Sequence, residues 1–129
     1  MRFLSIDLGL KRIGVAYSPD GKMVSPLKAI ERKNRNQAAS EVKALLLEWD
    51  AKALVIGIPI GGSSEEEMRR RVAHFLNLVD FSGKIFYQDE SDSSIEAESL
   101  MKGDIKYRRD GRVDSIAAMI ILKRYLKVL

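Results

Sequence analysis

The sequence predicts an α/β fold: a mixed five-stranded sheet, an antiparallel meander joined to a parallel half, flanked by helices. Three observations predict it. Three strand-like runs occupy the first thirty residues with two tight connections between them, which calls for antiparallel pairing. Beyond residue 36, apolar strand-like runs alternate with helical periods, which calls for parallel pairing through right-handed crossovers. The run Ala53–Ile58 is apolar throughout, the pattern of a strand covered on both faces.

Each element follows from its residues. Phe3–Leu8 is short, apolar and partly β-branched; Gly9 and Lys11-Arg12 form a turn; Ile13–Tyr17 resumes an extended run. Pro19-Asp20-Gly21 is a second turn, from which Met23–Ile30 returns as a third strand. Val42, Leu45, Leu46 and Trp49 recur at helical spacing. Pro59 stops the fourth strand. Gly61-Gly62 make a loop, and Ser63 and Ser64, three residues before Glu66 and Glu67, form overlapping capping-box patterns. Met68, Val72, Phe75, Leu76 and Val79 supply the apolar stripe of the helix that follows, and Lys84–Gln88 is the fifth strand. Ser93 and Glu96 form another capping box, opening a helix to about Met101. The stretch 102–111 is polar and irregular. Val113–Leu126 is a last helix, apolar on most of its circumference and therefore expected against the sheet.

Composition excludes several classes. A length of 129 residues suits one domain, 1–129, with no need of a covalent staple. The absence of cysteine excludes disulfide scaffolds, thiolate zinc sites and cysteine nucleophiles. With 46% hydrophobic and 31% charged residues the chain is not intrinsically disordered. The run Ile116–Leu122 is far too short to span a bilayer, and Asp7 interrupts any signal-peptide core, so a soluble cytoplasmic protein with no membrane partner is expected. The net charge of +4 weakly favours a polyanionic partner.

The acids are placed for chemistry. Asp7 ends the first strand, Asp89-Glu90 end the last, and Asp114 lies in the first turn of the final helix. Carboxylates ~4 Å apart repel by about 4 kcal/mol per pair at an effective dielectric of 20. A protein keeps three together only by sharing protons or by binding a cation. Hard oxygen ligands select Mg²⁺ or Mn²⁺, and two such ions can activate a water and stabilise the leaving oxygen of a phosphodiester. The bland alternative makes each acid a cap or a solvated turn residue, with Asp114 favouring the helix through its dipole.

Four ordered motifs sharpen the choice. Ser5-Ile6-Asp7-Leu8-Gly9-Leu10-Lys11-Arg12-Ile13-Gly14-Val15-Ala16, Val55-Ile56-Gly57-Ile58-Pro59, Asp89-Glu90 with Ser93-Ser94-Ile95-Glu96-Ala97, and Asp114-Ser115-Ile116-Ala117-Ala118 with Ile121-Leu122 and Tyr125-Leu126 span nearly the whole chain. Together they resemble the YqgF/RuvX family of Holliday-junction-resolvase-like, pre-16S rRNA nucleases. The resemblance implies a ribonuclease-H-like fold and a metal-dependent endonuclease. Asp7, Asp89 or Glu90, and Asp114 would be the catalytic and metal-ligating residues, holding two Mg²⁺ or Mn²⁺ ions. It implies structured RNA as partner, in 5′-end processing of precursor 16S rRNA, or branched DNA if the protein resolves junctions. Adjacent residues on a strand face opposite sides. Asp89 is slightly favoured over Glu90 as the inward acid, because Ile85 and Tyr87 share its parity. Where the family has Arg-Leu after the acidic pair, this chain has Ser91-Asp92. That departure motivates an alternative, a nucleic-acid-binding module without catalysis.

The basic residues carry the same two readings, phosphate contact or solvated surface. Lys11 and Arg12 could contact a phosphate near Asp7. Lys106, Arg108, Arg109 and Arg112 lead into Asp114 as a candidate strand clamp. Gly61–Ser64 could cradle a phosphate at a helix start. Arg69-Arg70-Arg71 reads as a solvated face, and His74, the sole histidine, as structural. A junction resolvase should be a symmetric homodimer, because it must cut two strands in concert. A monomer would suit the other readings.

Overall fold

A computed structural model describes residues 1–93, 97 and 111–128. Its elements are β1 (Phe3–Leu8), β2 (Arg12–Ser18), β3 (Ser25–Glu31), α1 (Arg35–Glu48), β4 (Ala53–Ile58), α2 (Glu65–Val79), β5 (Lys84–Asp89) and α3 (Arg112–Leu126). The strands form one sheet in the order β3-β2-β1-β4-β5. β1 pairs antiparallel with β2, and β2 with β3; β1–β4 and β4–β5 are parallel. The meander and parallel half expected from the sequence are therefore both present.

Alternation along β1 divides the sheet into two faces. Leu4, Ile6 and Leu8 pack with Ile13, Val15, Leu54, Ile56, Ile58, Val42, Leu46, Val72 and Phe75 on the side of α1 and α2. Phe3, Val55 and Phe86 face α3, against Ile121, Leu122, Tyr125 and Leu126. Tyr125 lies 5.1 Å from the Phe86 ring and 6.1 Å from that of Phe3, within the range of favourable aromatic pairs. Among the described residues no helix is long and apolar enough to cross a membrane.

Local chemistry explains where boundaries depart from expectation. β3 starts at Ser25 rather than Met23 because Asp20 Oδ1 accepts the backbone N–H groups of Lys22 (2.9 Å) and Met23 (3.0 Å), which extends the turn. α1 begins earlier than its apolar period suggests. Asn34 accepts from the Gln37 N–H at 2.7 Å, while the Gln37 side chain accepts from the Asn34 N–H, a reciprocal capping box. The capping box expected at Ser63 and Ser64 does not form. Ser64 is the N-cap but makes no side-chain cap hydrogen bond. Instead Glu65 reaches back to accept the Gly61 N–H at 2.7 Å. The helix expected between Ser93 and Met101 falls largely outside the described residues.

Candidate active site

The face of the sheet beneath α3 carries the chemistry. Asp7 follows Phe3 and Ser5 on that face, at the C-terminal end of β1. Its two neighbouring strands each present a glycine there. Gly14 is the antiparallel partner of Asp7. A Cβ on Gly14 would stand 1.9 Å from the Asp114 carbonyl oxygen, so only glycine lets the first turn of α3 descend onto β2. On β4, a Cβ on Gly57 would meet Ile121 Cδ1 at 2.4 Å and the Glu90 side chain at 3.0 Å. The Glu90 carboxylate thus crosses β4 through the space that Gly57 leaves open.

It crosses to Asp7, and the two side chains hydrogen-bond to each other. The Asp7 carboxyl is pushed up to about 8 by burial first, then by the charge and hydrogen bond of Glu90 and the charge of Asp114. Burial also raises Glu90, while its hydrogen bond to Asp7 and the charge of Asp89 pull in opposite directions. Both groups are held above their ordinary values, which fits one arrangement: the two carboxyls share a single proton across their hydrogen bond.

Asp89, the slightly favoured middle acid, turns the other way. It shares the parity of Ile85 and Tyr87, and both pack on the α1/α2 side. Phe86, two alternations before Glu90, packs under α3. Asp89 and Glu90 thus face opposite sides, and Glu90 is the one that shares the α3 face with Asp7. Asp89 Oδ1 accepts from the Ser91 hydroxyl (2.7 Å) and N–H (3.1 Å), and the serine contacts hold its carboxyl below its ordinary value. Ser91-Asp92 therefore have a structural task. Ser91 ties the turn to Asp89, Asp92 takes a left-handed conformation at φ 64°, and the Glu90 N–H continues the sheet to the Ile58 carbonyl at 2.9 Å. Arg124 of α3, which sequence reasoning passed over, braces this turn by donating to the carbonyls of Ser91 (2.9 Å) and Asp89 (3.2 Å).

Asp114 completes the cluster from α3, with an ion pair attached. Arg12 Nε donates to Asp114 Oδ2 at 2.9 Å, and both side chains are largely covered. Two buried serines fix the helix above. Ser5 Oγ donates to the Ala118 carbonyl at 2.8 Å, and Ser115 Oγ accepts the Val15 N–H at 3.2 Å. The latter occurs where the β2–β3 register shifts between Ile13 and Val15.

The other expected residues divide. Lys11 lies exposed in the β1–β2 turn and Arg112 exposed in the first turn of α3. Lys106, Arg108 and Arg109 lie outside the described residues. The Gly61–Ser64 loop is unsuited to a phosphate, because Glu65 takes the Gly61 N–H and Glu65, Glu66 and Glu67 fill the first turn of α2.

The donor chemistry fits a hard dication in one respect. Asp7 and Glu90 are a covered pair of oxygen ligands whose repulsion is now relieved by a shared proton, which such an ion can replace. Among the described residues, however, no three acidic or histidine side chains converge as one metal ion requires, since Asp114 is engaged by Arg12.

Similarity to known proteins points the same way. A family model described as RuvX, Holliday junction resolvase, matches residues 1–128. A protein of Sulfurimonas denitrificans named "Putative pre-16S rRNA nuclease" is 70% identical over 127 residues, covering 98% of each chain. One of Sulfurovum sp. with the same name is 51% identical over 128 residues, covering 99% of this chain and 100% of its own. The fowlpox virus Holliday junction resolvase superposes with a TM-score of 0.58 at 15% identity, covering all of both chains, and shares the ribonuclease-H-like fold. The chain belongs to the RuvX family.

Proposed function

We propose that this protein is a divalent-metal-dependent endonuclease acting on structured RNA, in 5′-end processing of precursor 16S rRNA. The observation that carries the reading is the Asp7–Glu90 pair, two carboxylates from separate strands brought together through the gap at Gly57. Such a pair costs folding energy, and its position beyond the carboxyl ends of parallel strands is where open α/β sheets bind ligands. The names borne by relatives at 70% and 51% identity support precursor 16S rRNA as the substrate.

Asp7 and Glu90 would hold Mg²⁺ or Mn²⁺, and Asp114 would join them only when Arg12 releases it. When bound, the metal supplies Lewis-acid stabilisation of the phosphate and of a nucleophilic water. The remaining work belongs to the chain. Gly14 and Gly57 bring the acids together, Ser5 and Ser115 fix α3, and Arg124 holds the turn that aims Glu90 inward. Arg12, beside Asp114, is placed to exchange that carboxylate for a substrate phosphate oxygen, with Lys11 and Arg112 nearby in sequence as further backbone contacts.

The test is cleavage of a precursor 16S rRNA 5′ fragment with Mn²⁺, comparing wild type with Asp7→Asn. The substitution should abolish cleavage while leaving the fold intact. Equal cleavage by both proteins would remove the reading. Junction resolution is the second reading, favoured by the family description. It predicts a dimer that cuts a DNA four-way junction symmetrically under the same conditions.

A further inference from the structure

Behind the β1–β2 turn, on the α1/α2 side of the sheet, lies a cleft of about 660 Å³. Its floor is apolar, with Leu8, Met68 and Phe75, and its walls are cationic. Arg32, Arg35, Arg70 and Arg71 line it together with His74, and among the described residues no acidic side chain does. Arg32 is held in place: it donates to the Gly9 carbonyl at 2.6 Å, and its guanidinium carbon lies 5.8 Å from the centre of the Phe75 ring. Arg35 Nη1 stands 2.9 Å from His74 Nε2. A guanidinium only donates, so that imidazole nitrogen accepts and α1 is joined to α2 across the cleft. Arg70 and Arg71 pair with Glu66 and Glu67 at 3.6 and 3.0 Å, outside the cleft. Those pairs are exposed, and exposed pairs hold weakly.

The cleft begins where the carboxylate site ends. Leu8 follows Asp7 directly and points to the opposite face. From Asp7 to Leu10 the chain can span at most about 11 Å. Leu10, 80% exposed at the tip of the turn, continues the apolar floor outward. A volume of this size is that of a small-molecule site and is too small for a duplex. Cations over an apolar floor suit phosphates lying over ribose and base faces.

We propose that this cleft binds the phosphodiester backbone of a single RNA strand, the flank of the cleaved bond after it passes over the β1–β2 turn. Arg70 and Arg71 of α2, which read from the sequence as part of a solvated face, and Arg35 of α1 then grip substrate on the side of the sheet opposite the carboxylates. The proposal takes its choice of RNA from the nuclease reading, but the contact itself is measurable without cleavage.

The probe is a fluorescent single-stranded RNA of about a dozen nucleotides, titrated without divalent metal at several salt concentrations. Arg35→Ala/Arg71→Ala should weaken binding at least tenfold at low salt. It should also lower the slope of log affinity against log salt by about 1.4, for two lost single-strand phosphate contacts. Arg35→Lys/Arg71→Lys should keep a slope near wild type. Lys28→Ala/Lys84→Ala removes equal charge away from the cleft and should weaken binding less than threefold. Equal losses in the arginine and lysine alanine variants would overturn the proposal, as would a wild type that does not bind the strand at low salt. If wild type binds through the cleft yet cleaves nothing, the nuclease reading fails and the cleft stands. If it cleaves while Arg35→Ala/Arg71→Ala binds like the lysine control, the cleft fails and the nuclease reading stands.

Discussion

The Asp7 and Glu90 carboxyls share a hydrogen bond across β4 at Gly57, which has no side chain to keep them apart. That relationship fixes a sign of pH dependence. Asp7 titrates near 8 in the fold, against an ordinary value of 3.8, so the folded chain binds the proton more tightly than the unfolded chain. The resulting stabilisation is complete below the unfolded value and is lost as pH rises through the folded one. The metal-free protein should therefore lose stability steadily as pH rises from about 4 to about 8, and Glu90, also raised by burial, adds to the loss with the same sign. Asp20, Asp50, Glu65 and Asp89 are all held below their ordinary values, so their contributions disappear only at more acidic pH. Urea midpoints should fall steadily over this range in wild type and less steeply in Asp7→Asn, where buried Glu90 still contributes. A slope unchanged by Asp7→Asn would assign the proton elsewhere.

Divalent metal should reverse the trend. A dication and the shared proton compete for the same oxygens, so added Mn²⁺ should raise the melting temperature more at about pH 8 than at about pH 6. Asp7→Asn should remove most of the increment. Chelation should restore the metal-free curve.

Gly57→Ala should damage stability and site together. The new methyl would overlap Ile121 Cδ1 and the Glu90 side chain, and overpacking of this kind costs about 1–3 kcal/mol. The variant should unfold at lower urea and show a weaker pH slope, because Glu90 is pushed off Asp7. Unchanged pH dependence would mean that the pair does not need the gap.

Neighbouring acids should behave differently. Glu90→Gln should lower cleavage by about 10²-fold or more, the scale on which removal of a single stabilising group in an active site is felt. Asp89→Asn should cost less than about tenfold, because its carboxylate faces Ser91. Rates measured side by side on one precursor fragment decide this, and the reverse ranking would restore Asp89 as the inward acid.

The two buried serines should also separate. Ser115→Ala leaves the buried Val15 N–H without its acceptor and should cost about 1–3 kcal/mol. Ser5→Ala removes a donor from a helix carbonyl, whose second lone pair leaves it better satisfied, and should cost nearer 1 kcal/mol. Chemical denaturation of both variants gives the order.

Much of this was legible in the chain because it rests on short-range rules. Period two in β1, period 3.6 in α2 and the unbroken apolar run of β4 set the element order, and two tight turns set antiparallel pairing. Asp7 and Asp114 were visible as acids at element ends, but alternation and periodicity left a cap or solvated-turn reading open, and only the family resemblance paired them as site residues. Gly14 and Gly57 were readable in principle, as glycines inside strands signal close approach, but not what approaches.

By itself, then, the sequence determined the elements, their order and a short set of acids at their ends. It could not decide between Asp89 and Glu90, because alternation says that they oppose one another and leaves open which face α3 covers. Packing sets the faces: Phe86 goes under Tyr125, Gly57 opens the path from Glu90 to Asp7, and Ser91 holds Asp89 on the other side. Nor could it show Arg12 on Asp114, 102 positions away, or the arginines of two helices lining one cleft with Phe75. Such relationships join residues distant in the chain, and only the tertiary structure, by burying some surfaces and leaving others to water, sets which of them meet.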